Sequence, residues 1–196
     1  MVTGYPSEEE IRPWKPWQRA YRFGVILIFP PDPPMSEVNA LRGKYDPVSQ
    51  AACDAHISLT VPLPTAPSAA DWRELETLTA GFASFNVRYG PLRYYLPAPG
   101  VCLAIEPQSE MDALRALLES ASVFRPAPPR PYPFSAHMTI AELITVDRTH
   151  SLMAELEQTA PRGSFRCTHV SYAVPDARLH FTERGRLYLR QTEAAA

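Results

Sequence analysis

Residues 56–59 read His56-Ile57-Ser58-Leu59, and residues 137–140 read His137-Met138-Thr139-Ile140. Each tetrapeptide is a His, an aliphatic residue or Met, a hydroxyl and a second aliphatic residue. On a β-strand the side chains at i and i+2 share a face. Each imidazole therefore lies beside a hydroxyl, while the apolar pair anchors the segment in a core. The neighbours extend the pattern. Ala55, Ile57, Leu59, Val61 and Leu63 alternate with His56, Ser58 and Thr60 over residues 55–63, and Ala136, Met138 and Ile140 alternate with His137 and Thr139 over residues 135–144. Two half-buried strands, each with one polar face, are expected.

The surroundings of the two segments repeat as well. In the first half an apolar run at 21–29 reads as a buried strand, and Ser36 caps a helix with Val38, Leu41 and Tyr45 on one face. After the first motif strand, Ser68 and Asp71 form a capping box ahead of Trp72, Leu75 and Leu78 or Thr79. A strand at 82–89, a Gly90-Pro91 turn flanked by solvated Arg88 and Arg93, and an extended piece at 92–96 follow. In the second half a strand at 101–106 precedes a helix started by Ser109 and Asp112, with Met111, Leu114, Leu118 and Ala121 as its apolar stripe. A Pro-rich loop at 126–133 enters the second motif strand. Asp147 caps a helix carrying Leu152, Met153 and Leu156, and 165–174 is extended again.

Each half thus runs strand, helix, strand with an embedded His, helix, strand, and the two His are 137 − 56 = 81 residues apart. This is the signature of a duplication. The expectation is one bilobal α+β domain over 1–196, with repeats at about 21–96 and 100–174, an N-terminal arm at 1–20 and a hairpin at about 179–190 turning at Arg184-Gly185. Two lobes of this size must share a core about a pseudo-two-fold axis, so that the motifs face each other across a cleft. Two imidazoles facing each other resist double protonation, so one is expected neutral and the other charged near pH 7, the state that acid and base catalysis requires. The hydroxyls suit the non-bridging oxygens of a phosphate.

With these residues in place the chain resembles the 2H phosphoesterase superfamily, which includes the 2′-5′ RNA ligase-like proteins and cyclic phosphodiesterases and is defined by two motifs of His, hydrophobic, Ser or Thr, hydrophobic. The likeness extends over about 21–174. It implies a bilobal α+β fold, phosphodiester chemistry at 2′-hydroxyls without a metal or other cofactor, His56 and His137 as general base and acid, and Ser58 and Thr139 on the phosphate. The substrate is then a 2′,3′-cyclic or 2′-5′-linked nucleotide or RNA end. An RNA 2′-5′ ligase and a non-catalytic RNA-end binder are the alternatives. Two departures stand out: many members have Pro before each motif His, where this chain has Ala55 and Ala136, and a basic residue after the second motif, where it has Glu142.

Composition bounds the partners. Nineteen Lys and Arg against twenty-one Asp and Glu leave a formal charge of −2, too little positive field to coat long duplex nucleic acid. Arg130, Tyr132 and Phe134, in the loop entering the second motif strand, are candidate substrate-binding residues, an Arg for phosphate and rings for a base; a Pro-rich packing loop is the other reading. Arg12, Trp14, Lys15, Trp17 and Arg19 are expected to pack as an arm across their own domain. His150, His169 and His180 lack ligand spacing, so no metal is expected. Cys53, Cys102 and Cys167 make no disulfide framework, and Cys53 should point away from His56. Glu8, Glu9 and Glu10 stand where a secretory peptide needs an apolar run, and no apolar stretch is long enough to span a bilayer. A cytoplasmic monomer without membrane contact is the expectation.

Overall fold

The run Val25–Ile28 (β1) is buried along its whole length, because Ile26 and Ile28 meet the main core while Val25 and Leu27 join a second apolar cluster with Cys53 and Ala173, covered by Tyr21, Phe29 and Phe181. The computed structural model describes residues 4–95, 98–130 and 132–191. Leu96, the end of the expected piece at 92–96, and Pro131 of the Pro-rich loop lie outside the described residues, as does the start of the N-terminal arm. β1 is shorter than the expected strand at 21–29. Ala20–Phe23 winds into a 3₁₀ turn after the short helix Pro16–Arg19 (α1), and Gly24 turns the chain with φ 84°. Only Gly fits there, since a Cβ would collide with the Ala173 carbonyl oxygen.

The other strands are Ile57–Ser58 (β2), Phe85–Tyr94 (β3), Gly100–Glu106 (β4), His137–Glu142 (β5), Gly163–Cys167 (β6), His169–Pro175 (β7) and Phe181–Tyr188 (β8). They form two four-stranded antiparallel sheets, ordered β2-β1-β7-β8 and β5-β4-β3-β6. The two orders correspond: each motif strand is an edge strand beside the first strand of its own half. The third strands are exchanged. β3, from the first half, lies in the sheet of β4, and β7, from the second half, lies in the sheet of β1. Each sheet therefore draws on both halves of the chain.

The helices repeat in the same way. Pro34–Tyr45 (α2) and Gln108–Glu119 (α5) both follow a Pro N-cap, and Ala69–Gly81 (α4) and Val146–Leu156 (α6) both follow a hydroxyl N-cap; Pro47–Ala52 (α3) is extra. The Ser68–Asp71 capping box forms as expected. Three expected caps do not. Ser36 lies inside α2 and hydrogen-bonds to Asp32, Ser109 lies inside α5 and bonds to Glu110, and Thr145 rather than Asp147 caps α6 by accepting from the Arg148 N–H. In α2 a Pro at the first helical position starts the helix early, because its missing N–H has no intrahelical partner there anyway.

Three strand readings also change. The first motif strand contracts to two residues because the Leu59 and Thr60 N–H groups both donate to Ile26 O, and Thr60 turns inward to accept from the Ile26 N–H. The expected Gly90-Pro91 turn is a bulge within β3, which continues to Tyr94. The stretch 165–174 is two strands broken at Thr168, where the chain crosses from one sheet to the other. At the C-terminus the reversal lies at Asp176–Leu179, with the Asp176 carboxylate accepting from the N–H groups of Arg178 and His180. Arg184 and Gly185 lie within β8, where Gly makes room for the Trp72 ring, 2.8 Å from where a Cβ would stand.

One core serves both sheets. Ile26, Ile57, Leu59 and Tyr172 pack with Leu75 of α4 and with Met111, Leu114 and Leu118 of α5, and Leu103, Met138 and Ile140 pack with Leu152 of α6. Each such side chain contributes roughly 1.5–3 kcal/mol by burial. In the arm, Ile11 and Trp14 are buried, and the Trp14 indole donates to Ala177 O at 3.0 Å. Among the described residues no helix is long and apolar enough to cross a membrane.

Candidate active site

The two motif strands, β2 and β5, pack against each other along the seam between the sheets. Ala55, Ile57, Leu59, Ala136, Met138 and Ile140 are fully buried, which turns His56, Ser58, His137 and Thr139 to the seam. The two imidazoles are held identically. His56 Nδ1 lies 2.7 Å from Asp54 O, and His137 Nδ1 lies 2.7 Å from Ser135 O. A carbonyl only accepts, so each Nδ1 carries the proton and each neutral ring presents the lone pair of Nε2. The residues in front of the histidines are clamped in parallel. The Ala55 N–H donates to Asn39 Oδ1 of α2 at 2.8 Å, and the Ala136 N–H donates to Gln108 Oε1 of α5 at 3.0 Å. A Pro at either place would have no such donor.

Both histidines are shifted toward the neutral form. Burial pushes His56 down to about 4, with the Arg42 cation and, more weakly, His137 adding to it against the hydrogen bond to Asp54. Burial also lowers His137, opposed by its bond to Ser135 and assisted by the Arg93 cation. The expectation of one charged imidazole in the free protein is therefore not met: burial adds to the repulsion between cations and shifts both rings toward the neutral form.

Four neighbours of the site have no functional role in the sequence reading. Arg42, only 2% exposed, donates to Thr139 O at 3.0 Å, Ser49 O at 2.8 Å and Cys53 O at 2.9 Å, tying the approach to the first motif to the second. Its signal was an Arg one helical turn after buried Val38. Tyr95 sets its ring edge-on to His137, centroids 4.9 Å apart. Tyr21, placed by the 3₁₀ turn, senses Glu142 and Arg130 across the seam, although burial is the main cause of its raised pKa. Arg93 is half-buried and donates to Ser135 Oγ at 2.7 Å, where a solvated side chain was expected.

Glu142 is half-buried and accepts from Ser49 Oγ at 3.3 Å, and its N–H donates to Asp46. Burial and then the Asp46 carboxylate raise its pKa, against Arg42 and the hydroxyls of Ser49 and Tyr95. The remaining candidates are placed as follows. Arg130 donates to Leu59 O at 2.7 Å and pairs with Glu119 at 2.9 Å, and Phe134 has the guanidinium groups of Arg115 and Arg130 over its ring. These two form a brace between α5 and the end of the first motif, and Tyr132 stands on the surface, 57% exposed. Burial raises the Cys53 thiol to about 12, so it is no thiolate at neutral pH. Among the described residues no three His, Cys, Asp or Glu side chains cluster as a metal site.

A family model of the 2′-5′ RNA ligase superfamily matches residues 30–178. No curated protein sequence matches the chain. Among solved structures, Escherichia coli LigT complexed with NADP+ is 20% identical, with 85% of this chain and 96% of that one covered and a TM-score of 0.55. The same protein complexed with 3′-AMP is 18% identical over 84% and 96%, with a TM-score of 0.56. TT0787 of Thermus thermophilus is 16% identical over 86% and 98%, with a TM-score of 0.55. At such identities these structures establish a shared two-lobed α+β fold, and the match over most of the sequence establishes the family: the chain belongs to the 2′-5′ RNA ligase superfamily, the 2H phosphoesterases.

Proposed function

We propose that this chain is a metal-independent phosphoesterase that opens a 2′,3′-cyclic phosphate, or cuts a 2′-5′-linked phosphodiester, on a nucleotide or RNA end. His56 and His137 divide the roles of general base and general acid, and Ser58 and Thr139 donate to the phosphate oxygens. One observation carries this reading: two imidazoles on packed edge strands, each with Nδ1 tied to the carbonyl two residues before it and Nε2 left for the seam. A solved relative of the same fold holds 3′-AMP, a nucleotide phosphorylated on its ribose, which supports the substrate class.

The neutral rings suit a base, and a phosphate anion bound between them favours protonation of the second ring. One Nε2 then takes a proton from water as its oxygen bonds to phosphorus. The bond from phosphorus to the leaving ribose oxygen breaks, and the other imidazolium gives that oxygen its proton. The test is hydrolysis of the four 2′,3′-cyclic mononucleotides in EDTA by wild type, His56→Ala and His137→Ala. Each variant is expected to lose about a hundredfold or more. Turnover untouched by either substitution, or abolished by EDTA in the wild type, would remove the reading; no wild-type turnover at all would direct the same comparison to 2′-5′-linked RNA.

A further inference from the structure

Across β3 and β4, Tyr89 lies opposite Ile105 and Leu92 opposite Leu103, so β3 advances three residues while β4 advances two. This bulge at Gly90-Pro91 changes which face the following residues occupy. Tyr89 is a core residue, and in unbroken alternation Arg93 would also face the core. With the extra residue Leu92 packs on the core instead, and Arg93 falls opposite Cys102, which is itself opposite Thr139. Residues directly opposite share a face. Arg93 is therefore in one row with the second motif hydroxyl, on the seam side of the sheet.

A second bulge acts on Glu142. β5 advances from Thr139 to Ala141 while β4 moves only from Cys102 to Val101, which buries Ala141 and returns Glu142 to the seam face. Between Arg93 and the motif strand, β4 presents only the small side chains of Cys102 and Ala104, the latter opposite His137. The guanidinium crosses them and reaches Ser135 Oγ at 2.7 Å, beside the carbonyl that holds His137. Ser135 Oγ is its one hydrogen-bond acceptor among the described residues, and no carboxylate pairs with it there. A half-buried cation with no counter-charge, two strands from Thr139 and felt by His137, is placed to meet an anion.

We propose that Arg93, turned into the seam by the Gly90-Pro91 bulge, is the cation that binds the phosphodiester anion in this site. It thereby supplies from β3 the positive charge that Glu142 withholds at the end of β5. The inference rests on the phosphodiester reading above and assigns the fork of Arg93 donors to a singly charged, non-bridging oxygen pair.

The experiment titrates inorganic phosphate by calorimetry and measures turnover of adenosine 2′,3′-cyclic phosphate, for wild type, Arg93→Gln, Arg93→Lys and Ser135→Ala. Arg93→Gln is expected to weaken phosphate binding and raise KM roughly ten- to a hundredfold, with a smaller change in kcat. Arg93→Lys keeps the charge without the fork and recovers part of the loss; Ser135→Ala frees the guanidinium and costs less than Arg93→Gln. Phosphate affinity and KM equal to wild type in Arg93→Gln would overturn the inference. Should that variant not fold, Arg93→Lys decides: a several-fold rise in KM supports the assignment and an unchanged KM overturns it. A wild type that binds phosphate through Arg93 but leaves both the cyclic nucleotide and 2′-5′-linked RNA intact removes the phosphodiesterase reading and keeps the anion site. Turnover independent of Arg93 does the reverse, and a wild type that binds neither probe overturns both.

Discussion

A histidine whose Nδ1–H is committed to a backbone carbonyl has one nitrogen left for proton transfer, and its burial decides when that nitrogen is free. His56, held near 4, is neutral in the folded protein at any pH well above that. In the unfolded chain it returns to its ordinary value of 6.5. Between these two values the unfolded state binds more protons, so stability falls as the pH drops from 6.5 toward 4 and is fully present above 6.5. His137 and His169, both lowered mainly by burial, add in the same direction. The expected contribution of His56 to this loss is of order 1–3 kcal/mol. Denaturant unfolding at pH 7 and pH 4.5 should show a smaller drop for His56→Gln than for wild type; equal drops would mean that the imidazole is not held neutral by burial. The residue scale is also where the sequence spoke most clearly, since alternation at 55–59 and 136–140 already placed both imidazoles and both hydroxyls on polar faces.

At the scale of elements, helices position the motif strands through side chains that no periodicity marks as functional. α2 and α5 each extend an amide oxygen, from Asn39 and from Gln108, to the N–H just before a motif His. Ala at these positions supplies a donor, and the amide satisfies it, so the departure from Pro is matched by a partner in each half. Arg42 of α2 does more, because its guanidinium joins the Ser49 and Cys53 carbonyls to that of Thr139. Arg42→Met leaves three carbonyls without this donor and is expected to lower the unfolding free energy by about 2–4 kcal/mol, measured by urea titration. A change below about 0.5 kcal/mol would show that the link is dispensable for folding. The bulges in β3 and β5 are element-scale devices too. A Gly-Pro pair reads equally as a turn, and only the register against β4 shows that the strand passes through it with its faces exchanged.

For the whole molecule, the exchange of β3 and β7 between sheets sets the cooperativity. A fragment ending before residue 98 has β1, β2 and β3 but lacks both β7, the partner of β1, and β4, the partner of β3. Neither half can bury its sheet, so separate fragments 4–95 and 98–191 are each expected to lack dispersed amide proton resonances, while the full chain unfolds in a single transition seen alike by Trp fluorescence and circular dichroism. A half that folds alone, or two separated transitions, would contradict one shared core. The repeat itself, the element order and the two motif segments were determined by the sequence, because alternation and helical spacing are local and each strand or helix carries its own pattern. What only the tertiary structure decided is which sheet each third strand joins, where bulges exchange the faces of β3 and β5, and that Arg42, Arg93 and Tyr95 surround the histidines, with Glu142 beside Tyr95. Those facts depend on register and on contacts between residues far apart in the chain, and a pattern within one strand or helix carries no information about which distant residue will lie opposite it.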